Sequence, residues 1–389
     1  MSITAPEGFV AAGGSAGIKA AGMPDVAVVC THDGRAVPAA GVFTSNLAAA
    51  APVQVSRRHL QMSQGRSAGV ILTSGNANAA TGEPGRQSAI KLCTWTALGI
   101  GAAPEEILIC QTGLIGIPFP IDVVQPSVGP IVEHRASGPE AGAAAARAIM
   151  TTDTVPKVAL VQGAGFSVGA MAKGAAMLAP NMATMLALCT TDAVVDPETL
   201  QAALTAAVDR SFNTMTVDGC TSTNDTVLVL ASGAGAPATL EQMTAALTDA
   251  CQSLAGQMVD DAEGATKVSH VRVVGAESDA AAHLAARKVA DSMLVQCSLN
   301  GEDPYWGRVV SELGSAGVSF DIDKVSVAYG GVVVCAGGVA VTHDSAAVAA
   351  HMAGRHIELV CALGLGQGEA AVLGTDLGYG YIDENRTTS

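Results

Sequence analysis

Short β-branched runs alternate with longer Ala-rich stretches along the first half of the chain. Val26 to Val29, Val70 to Thr73 and Ile107 to Cys110 are apolar runs of strand length. Arg86 to Leu98 and Pro139 to Ile149 carry the wider spacing of helices that bury one face. The alternation predicts an α/β architecture. Val158 to Gln162, a Gly163-Ala164-Gly165 turn and Phe166 to Ala172 then predict a hairpin that delivers the chain to Lys173-Gly174. Beyond Asp192, helices at Pro197 to Asp209 and Leu240 to Val259 interleave with strands at Thr226 to Leu230 and Lys267 to Val274. The polar stretch Glu277 to Ala280 predicts a boundary, followed by a smaller α/β subdomain from about residue 281 to 389. Its expected elements are helices at Ala281 to Leu294 and Asp303 to Leu313, paired strands at Val325 to Tyr329 and Val332 to Cys335, and a last strand from Ile357 to Leu363.

Composition narrows the class. The 389 residues are 49% hydrophobic but only 3% aromatic, with 44 glycines, which suits a soluble globule packed from small aliphatic side chains. A formal net charge of −15 opposes binding to phosphate backbones and anionic lipid, so neither nucleic acid nor membrane is an expected partner. No apolar run reaches the roughly 18 residues of a membrane span, and a cytoplasmic location is expected. Nine cysteines spread from Cys30 to Cys361 without a Cys-x-x-Cys pair predict buried thiols, not a disulfide framework or a zinc knuckle. His351 and His356 lack the i, i+4 spacing of a helical metal site, and neither a metal nor a cofactor is expected.

Two motifs offer chemistry that their context denies. Gly165-Phe166-Ser167-Val168-Gly169 matches the nucleophile elbow of α/β-hydrolases, which requires a strand, a sharp turn and a helix; Ser167 falls instead in the second arm of the predicted hairpin. Gly364-Leu365-Gly366-Gln367-Gly368 follows a strand, but it lies too near the C-terminus to open a nucleotide-binding unit and reads as a turn between two strands.

The informative stretch runs from Lys173 to Leu186: Lys-Gly-Ala-Ala-Met-Leu-Ala-Pro-Asn-Met-Ala-Thr-Met-Leu. On spacing alone, Asn181 caps an apolar helix in which Thr184 is a buried threonine. Resemblance changes that reading. The stretch resembles the cleavage motif of the ornithine acetyltransferase family, Lys-Gly-x-Gly-Met-x-x-Pro-x-x-Ala-Thr-Met, with Ala176 in place of the second glycine. Similarity continues, in family order, through Ser74 to Asn78, Gln111 to Gly116, Met150 to Lys157, Asp218 to Thr226, Asp261 to Lys267 and Asp303 to Arg308.

The resemblance implies a self-cleaving enzyme with an N-terminal threonine nucleophile on a four-layer α/β/β/α sandwich. Thr184 would attack the carbonyl of Ala183, and water would open the resulting ester, giving an alpha chain of residues 1–183 and a beta chain of 184–389. The freed α-amine has an ordinary pKa of about 7.7 to 8.0 and would serve as the base for its own hydroxyl. Acetyl would pass from N2-acetylornithine to Thr184 and then to glutamate, with acetyl-CoA an optional further donor. Thr112 and the Gly113 N–H would hold the oxyanion, each such donor being worth roughly 2.7 to 4 kcal/mol in comparable sites. Family substrate-binding positions fall on Thr151, Lys173, Thr184, Glu263, Asn385 and Ser389. Two copies of each fragment would form a heterotetramer.

Three features depart from the family pattern: Gln296 stands where a lysine is usual, Tyr305 replaces an asparagine, and the tail after Glu384 is short. They leave open a paralogous acyltransferase with another amine or acyl substrate, and an amidase or aminopeptidase in which water resolves the acyl-enzyme.

Overall fold

The computed structural model describes residues 3–20, 22–177 and 185–386. They divide into two compact units, Met1–Asn213 with Cys220–Met258, and Thr214–Gly219 with Val259–Ser389.

The first unit holds strands β1 (Phe9–Gly14), β2 (Val26–Thr31), β3 (Val37–Phe43), β4 (Arg66–Ser67), β5 (Gly69–Asn76), β6 (Ile107–Leu114), β7 (Lys157–Gln162), β8 (Ser167–Lys173), β9 (Leu186–Thr191) and β10 (Thr226–Ala231). Its helices are α1 (Ala51–Met62), α2 (Gly82–Ile100), α3 (Ile121–Glu133), α4 (Pro139–Ala148), α5 (Pro197–Asp209) and most of α6 (Leu240–Asp260). One sheet has the order β1-β2-β5-β6 and the other β4-β3-β10-β9-β8-β7. Only two of the pairings within them, β5 with β6 and β9 with β10, are parallel. Parallel neighbours need a crossover, and α2 and α5 supply one each.

Side-chain alternation stacks these sheets face to face. Val29, Val70, Leu72 and Leu108 of the first meet Ala39, Met171, Leu188 and Leu228 of the second in one buried cluster. The opposite side chains of the first sheet, Val28, Ile71 and Ile109, pack under Leu92 and Cys93 of α2 and Val124 and Val128 of α3. On the outer side of the second sheet, Gln201 of α5 exchanges hydrogen bonds with the Gly41 backbone, and Gln257 of α6 does the same with Val158. The unit is therefore an α/β/β/α sandwich. With both faces covered, the inner strands read as unbroken apolar runs.

The second unit is built on β11 (Val268–Ala276), β12 (Ser326–Tyr329), β13 (Val332–Ala336), β14 (Val339–Ala340), β15 (His356–Ala362) and β16 (Gly368–Thr375), in the order β14-β13-β12-β15-β11-β16. Helices α7 (Asp279–Ala290), α8 (Met293–Asn300), α9 (Trp306–Gly314) and α10 (Ser345–Met352) contribute to the core on one face, and α11 (Tyr379–Asn385) ends the described chain. His270, Arg272, His356 and Glu358 are exposed on the other face. This unit contains the whole 281–389 span and adds β11, which is paired on both sides within the sheet.

The helix expected from Ala281 to Leu294 is two helices. Its apolar spacing runs on without a break, but Ser292 turns its side chain to accept the Val295 N–H and so caps the start of α8.

Candidate active site

Strand β6 carries Thr112 and Gly113 at its end, beside the end of β5. Gly113 has φ +127°, and a Cβ there would lie 2.3 Å from the Gly75 carbonyl carbon and 2.5 Å from the Asn76 nitrogen. Only glycine fits between these two backbones. Buried amides hold the strand ends in place. Asn78 donates to Gln111 Oε1 at 2.8 Å, Gln111 donates to Thr73 Oγ1 at 3.1 Å, and Asn224 donates to the carbonyls of Ala77 and Gln111 at 2.6 and 2.9 Å. Three stretches far apart in sequence thus brace one loop.

Lys173 ends β8 with its side chain buried, and its Nζ donates to Thr112 Oγ1 at 3.4 Å. A hydroxyl that accepts from an ammonium keeps its own proton to donate elsewhere. Asp153 lies 3.9 Å from the same Nζ. It accepts from Lys157 Nζ at 2.5 Å, from the Gly174 N–H at 2.8 Å and from the Thr151 N–H at 2.9 Å. Burial alone would push the Asp153 carboxyl up, but the Lys173 and Lys157 charges and these hydrogen bonds outweigh it and hold the carboxyl at about 2. Lys19 completes the cluster, donating to the Met150 carbonyl at 2.6 Å, with burial pushing its ammonium down. Sequence reasoning passed over Asp153, Lys157 and Lys19. The first two lie inside a matched block, while nothing local marks Lys19.

The structure thus brings Thr112, Gly113, Thr151 and Lys173 together in the first unit. In the second unit, Asn385 donates to Glu263 Oε2 at 2.8 Å. Gly264, with φ +63°, lets the backbone of α11 approach so closely that a Cβ would lie 2.1 Å from the Tyr381 nitrogen. Ala183, Thr184 and Ser389 lie outside the described residues.

The remaining candidates have structural explanations. Ser167 stands in β8 with its N–H and hydroxyl both on Asp192, at 2.6 and 3.1 Å, in an antiparallel hairpin and not before a helix. Gly364 to Gly368 joins β15 to β16. Gln296 is buried, and its amide donates to the carbonyls of Ala290 at 3.0 Å and Val217 at 3.4 Å. Tyr305 is exposed, with the Arg308 guanidinium 5.7 Å from its ring centre. Among the described residues no group of three or more His, Cys, Asp or Glu side chains is placed to hold a metal ion.

A two-sheet sandwich that sets a buried hydroxyl, hydrogen-bonded by Lys173, at one strand end beside a buried cationic cluster defines an α/β protein with a candidate site at that strand end. Residues 10–387 match the ArgJ family, and the chain belongs to that family. It is 44% identical to the arginine biosynthesis bifunctional protein ArgJ of Thermobifida fusca, over 100% of both chains. It is 44% identical to the ArgJ of Mycobacterium leprae, over 100% of this chain and 96% of that one. Among solved structures it matches ornithine acetyltransferase complexed with ornithine from Mycobacterium tuberculosis, at 38% identity and a TM-score of 0.42, over 46% of this chain and 94% of that one.

Proposed function

We propose that the chain cleaves itself between Ala183 and Thr184 and then carries acetyl from N2-acetylornithine to glutamate as an ester on Thr184. The chain is an acetyltransferase of arginine biosynthesis. The observation that carries the site-level reading is the Lys173–Thr112 hydrogen bond, because it leaves the Thr112 proton to be donated to a developing oxyanion. Gly113 supplies backbone at the same strand end. The lysines around Asp153 supply positive charge for a substrate α-carboxylate, with Thr151 fixed beside them through its N–H.

In the second unit, Glu263 and Asn385 are the substrate-binding pair that this reading assigns, with Ser389 at the chain end. Residues 1–183 and 184–389 form the two fragments, two copies of each assemble, and the enzyme acts in the cytoplasm on small amino-acid substrates. No described helix is long and apolar enough to cross a membrane.

One assay tests the reaction. The purified protein is incubated with N2-acetylornithine, with and without glutamate, while ornithine and N-acetylglutamate are followed. Glutamate-dependent release of ornithine is expected. Release that ignores glutamate identifies a hydrolase, and a cleaved protein without turnover identifies an acyltransferase for another substrate. Acetyl-CoA with glutamate then tests the second donor.

A further inference from the structure

Self-cleavage poses a proton problem that the mature enzyme does not have. After cleavage, the Thr184 α-amine can serve as base; before it, that nitrogen is a peptide nitrogen and is not basic. The threonine hydroxyl must lose a proton and the departing nitrogen must gain one, so the precursor needs a group supplied by the fold.

Met185, the residue after Thr184, is held at both ends of its backbone. Its N–H donates to Asp225 Oδ1 at 3.0 Å and its carbonyl accepts from the Thr226 N–H at 3.2 Å, just before β9 and β10 begin their parallel pairing. Asp225 is itself anchored, its carbonyl accepting the Thr44 N–H at 2.9 Å. The Asp225 side chain is fully buried, and its Oδ2 has no hydrogen-bond partner among the described residues. The Thr184 nitrogen is three bonds from the Met185 nitrogen, about 4.3 Å of covalent path at most. The first oxygen of Asp225 therefore grips the peptide that follows the nucleophile, and Ser222 lies against the same carboxyl.

We propose that Asp225 is the proton-transfer residue of self-cleavage, an inference that rests on Thr184 being the nucleophile. Thr184 Oγ bonds to the Ala183 carbonyl carbon as the bond from that carbon to the Thr184 nitrogen breaks. Asp225 gives its proton to the departing nitrogen, and its carboxylate recovers the proton that Oγ releases. Water then opens the ester, which frees the Ala183 carboxyl and restores the threonine hydroxyl. Burial pushes the Asp225 carboxyl well above the usual carboxylate range, against the Met185 N–H, the Lys173 charge and the hydrogen bonds from Ser222, and so favours the proton-bearing form from which the step begins.

The test follows conversion of the freshly made full-length chain into two fragments by intact mass, at several pH values between about 5 and 9, for wild type and Asp225→Asn. Asparagine keeps an acceptor for Met185 but carries no transferable proton. The variant is expected to fold, with a cooperative melt, and to cleave at least 100-fold more slowly than wild type, in line with the roughly 10²- to 10⁴-fold worth of a positioned acid or base. Cleavage at the wild-type rate with the wild-type pH profile overturns the inference. Should Asp225→Asn not melt cooperatively, Asp225→Glu decides: a carboxyl one methylene longer is expected to restore cleavage to within about tenfold of wild type. A folded glutamate variant that stays whole overturns the inference. A wild-type chain that itself stays whole removes the Thr184 reading and this inference with it, whereas a cleaving wild type matched by Asp225→Asn removes this inference alone.

Discussion

Asp153→Asn keeps the volume of a buried side chain and deletes the carboxylate that Lys157 and Lys173 share. In the wild type the carboxyl sits at about 2 against an ordinary 3.8, a depression worth about 2 kcal/mol of stability at neutral pH. The variant also leaves two buried ammonium groups facing an amide, and breaking one side of a buried ion pair costs about 3 to 5 kcal/mol. We expect a loss of about 3 kcal/mol, which lowers the melting temperature by roughly 6 to 12 °C for a unit of this size. The sign of the pH dependence is fixed by the direction of the shift. A carboxyl depressed in the folded state contributes fully above its unfolded value and loses that contribution as pH falls through its folded value. The gap between wild type and variant should therefore be constant near neutrality and close between about pH 4 and pH 2, where the wild type surrenders its advantage. Thermal unfolding of both proteins along a pH series measures it. A variant that melts within about 1 °C of wild type at pH 7, or a gap unchanged down to about pH 2, would refute the role given to Asp153.

The other expectations concern the strand ends and the decoy serine. Thr112→Val removes the donated proton at nearly constant shape, and kcat should fall about 10²- to 10³-fold with KM little changed, as steady-state kinetics will report. Gly113→Ala places a Cβ 2.3 Å from backbone that cannot yield, at a positive φ; it should cost more than about 4 kcal/mol, visible as loss of the cooperative melt. Ser167→Ala should leave turnover within about twofold of wild type while lowering stability by about 1 kcal/mol through its hydroxyl bond to Asp192; a collapse of activity would reinstate the elbow.

Legibility in the sequence followed burial geometry. Strands covered on both faces, such as Val70 to Thr73 and Ile107 to Cys110, announced themselves as apolar runs, and α5 was readable to the residue because Asp196 and Pro197 punctuate its start. Strand β3 was passed over because Pro38 argues against a strand, yet that residue pairs only with the two-residue β4 at one end. Helix α3 was hidden by Pro126 and Pro130, whose four-residue spacing makes the carbonyl left without its helical donor at Pro126 that of a residue which itself donates nothing. Of the site, Thr112, Gly113 and Lys173 were found through motif resemblance, not through spacing. Asp153 and Asp225 also lay inside matched blocks, but their importance depends on which oxygen meets which N–H, and a sequence carries no such information.

Substrate choice turns on what a ping-pong cycle demands. On the proposed cycle, acetylornithine and glutamate visit the same nucleophile in turn, and the features they share are the α-carboxylate and the carbon that bears it; their far ends carry opposite charge. The buried cluster of Lys19, Lys157 and Lys173 around Asp153 is where the proposed reading seats that shared carboxylate, beside the Thr112 hydroxyl to which it assigns the oxyanion. Two departures from the family pattern, Gln296 and Tyr305, fall in the second unit. The amide of Gln296 is spent on the Ala290 and Val217 carbonyls, and Tyr305 lies exposed against Arg308. A lysine in place of Gln296 would have to carry its charge to the same two carbonyls, which is a requirement of local folding within that unit. Gln296 thus has a local structural role, and turnover decides between the assigned substrates and a redirected paralogue.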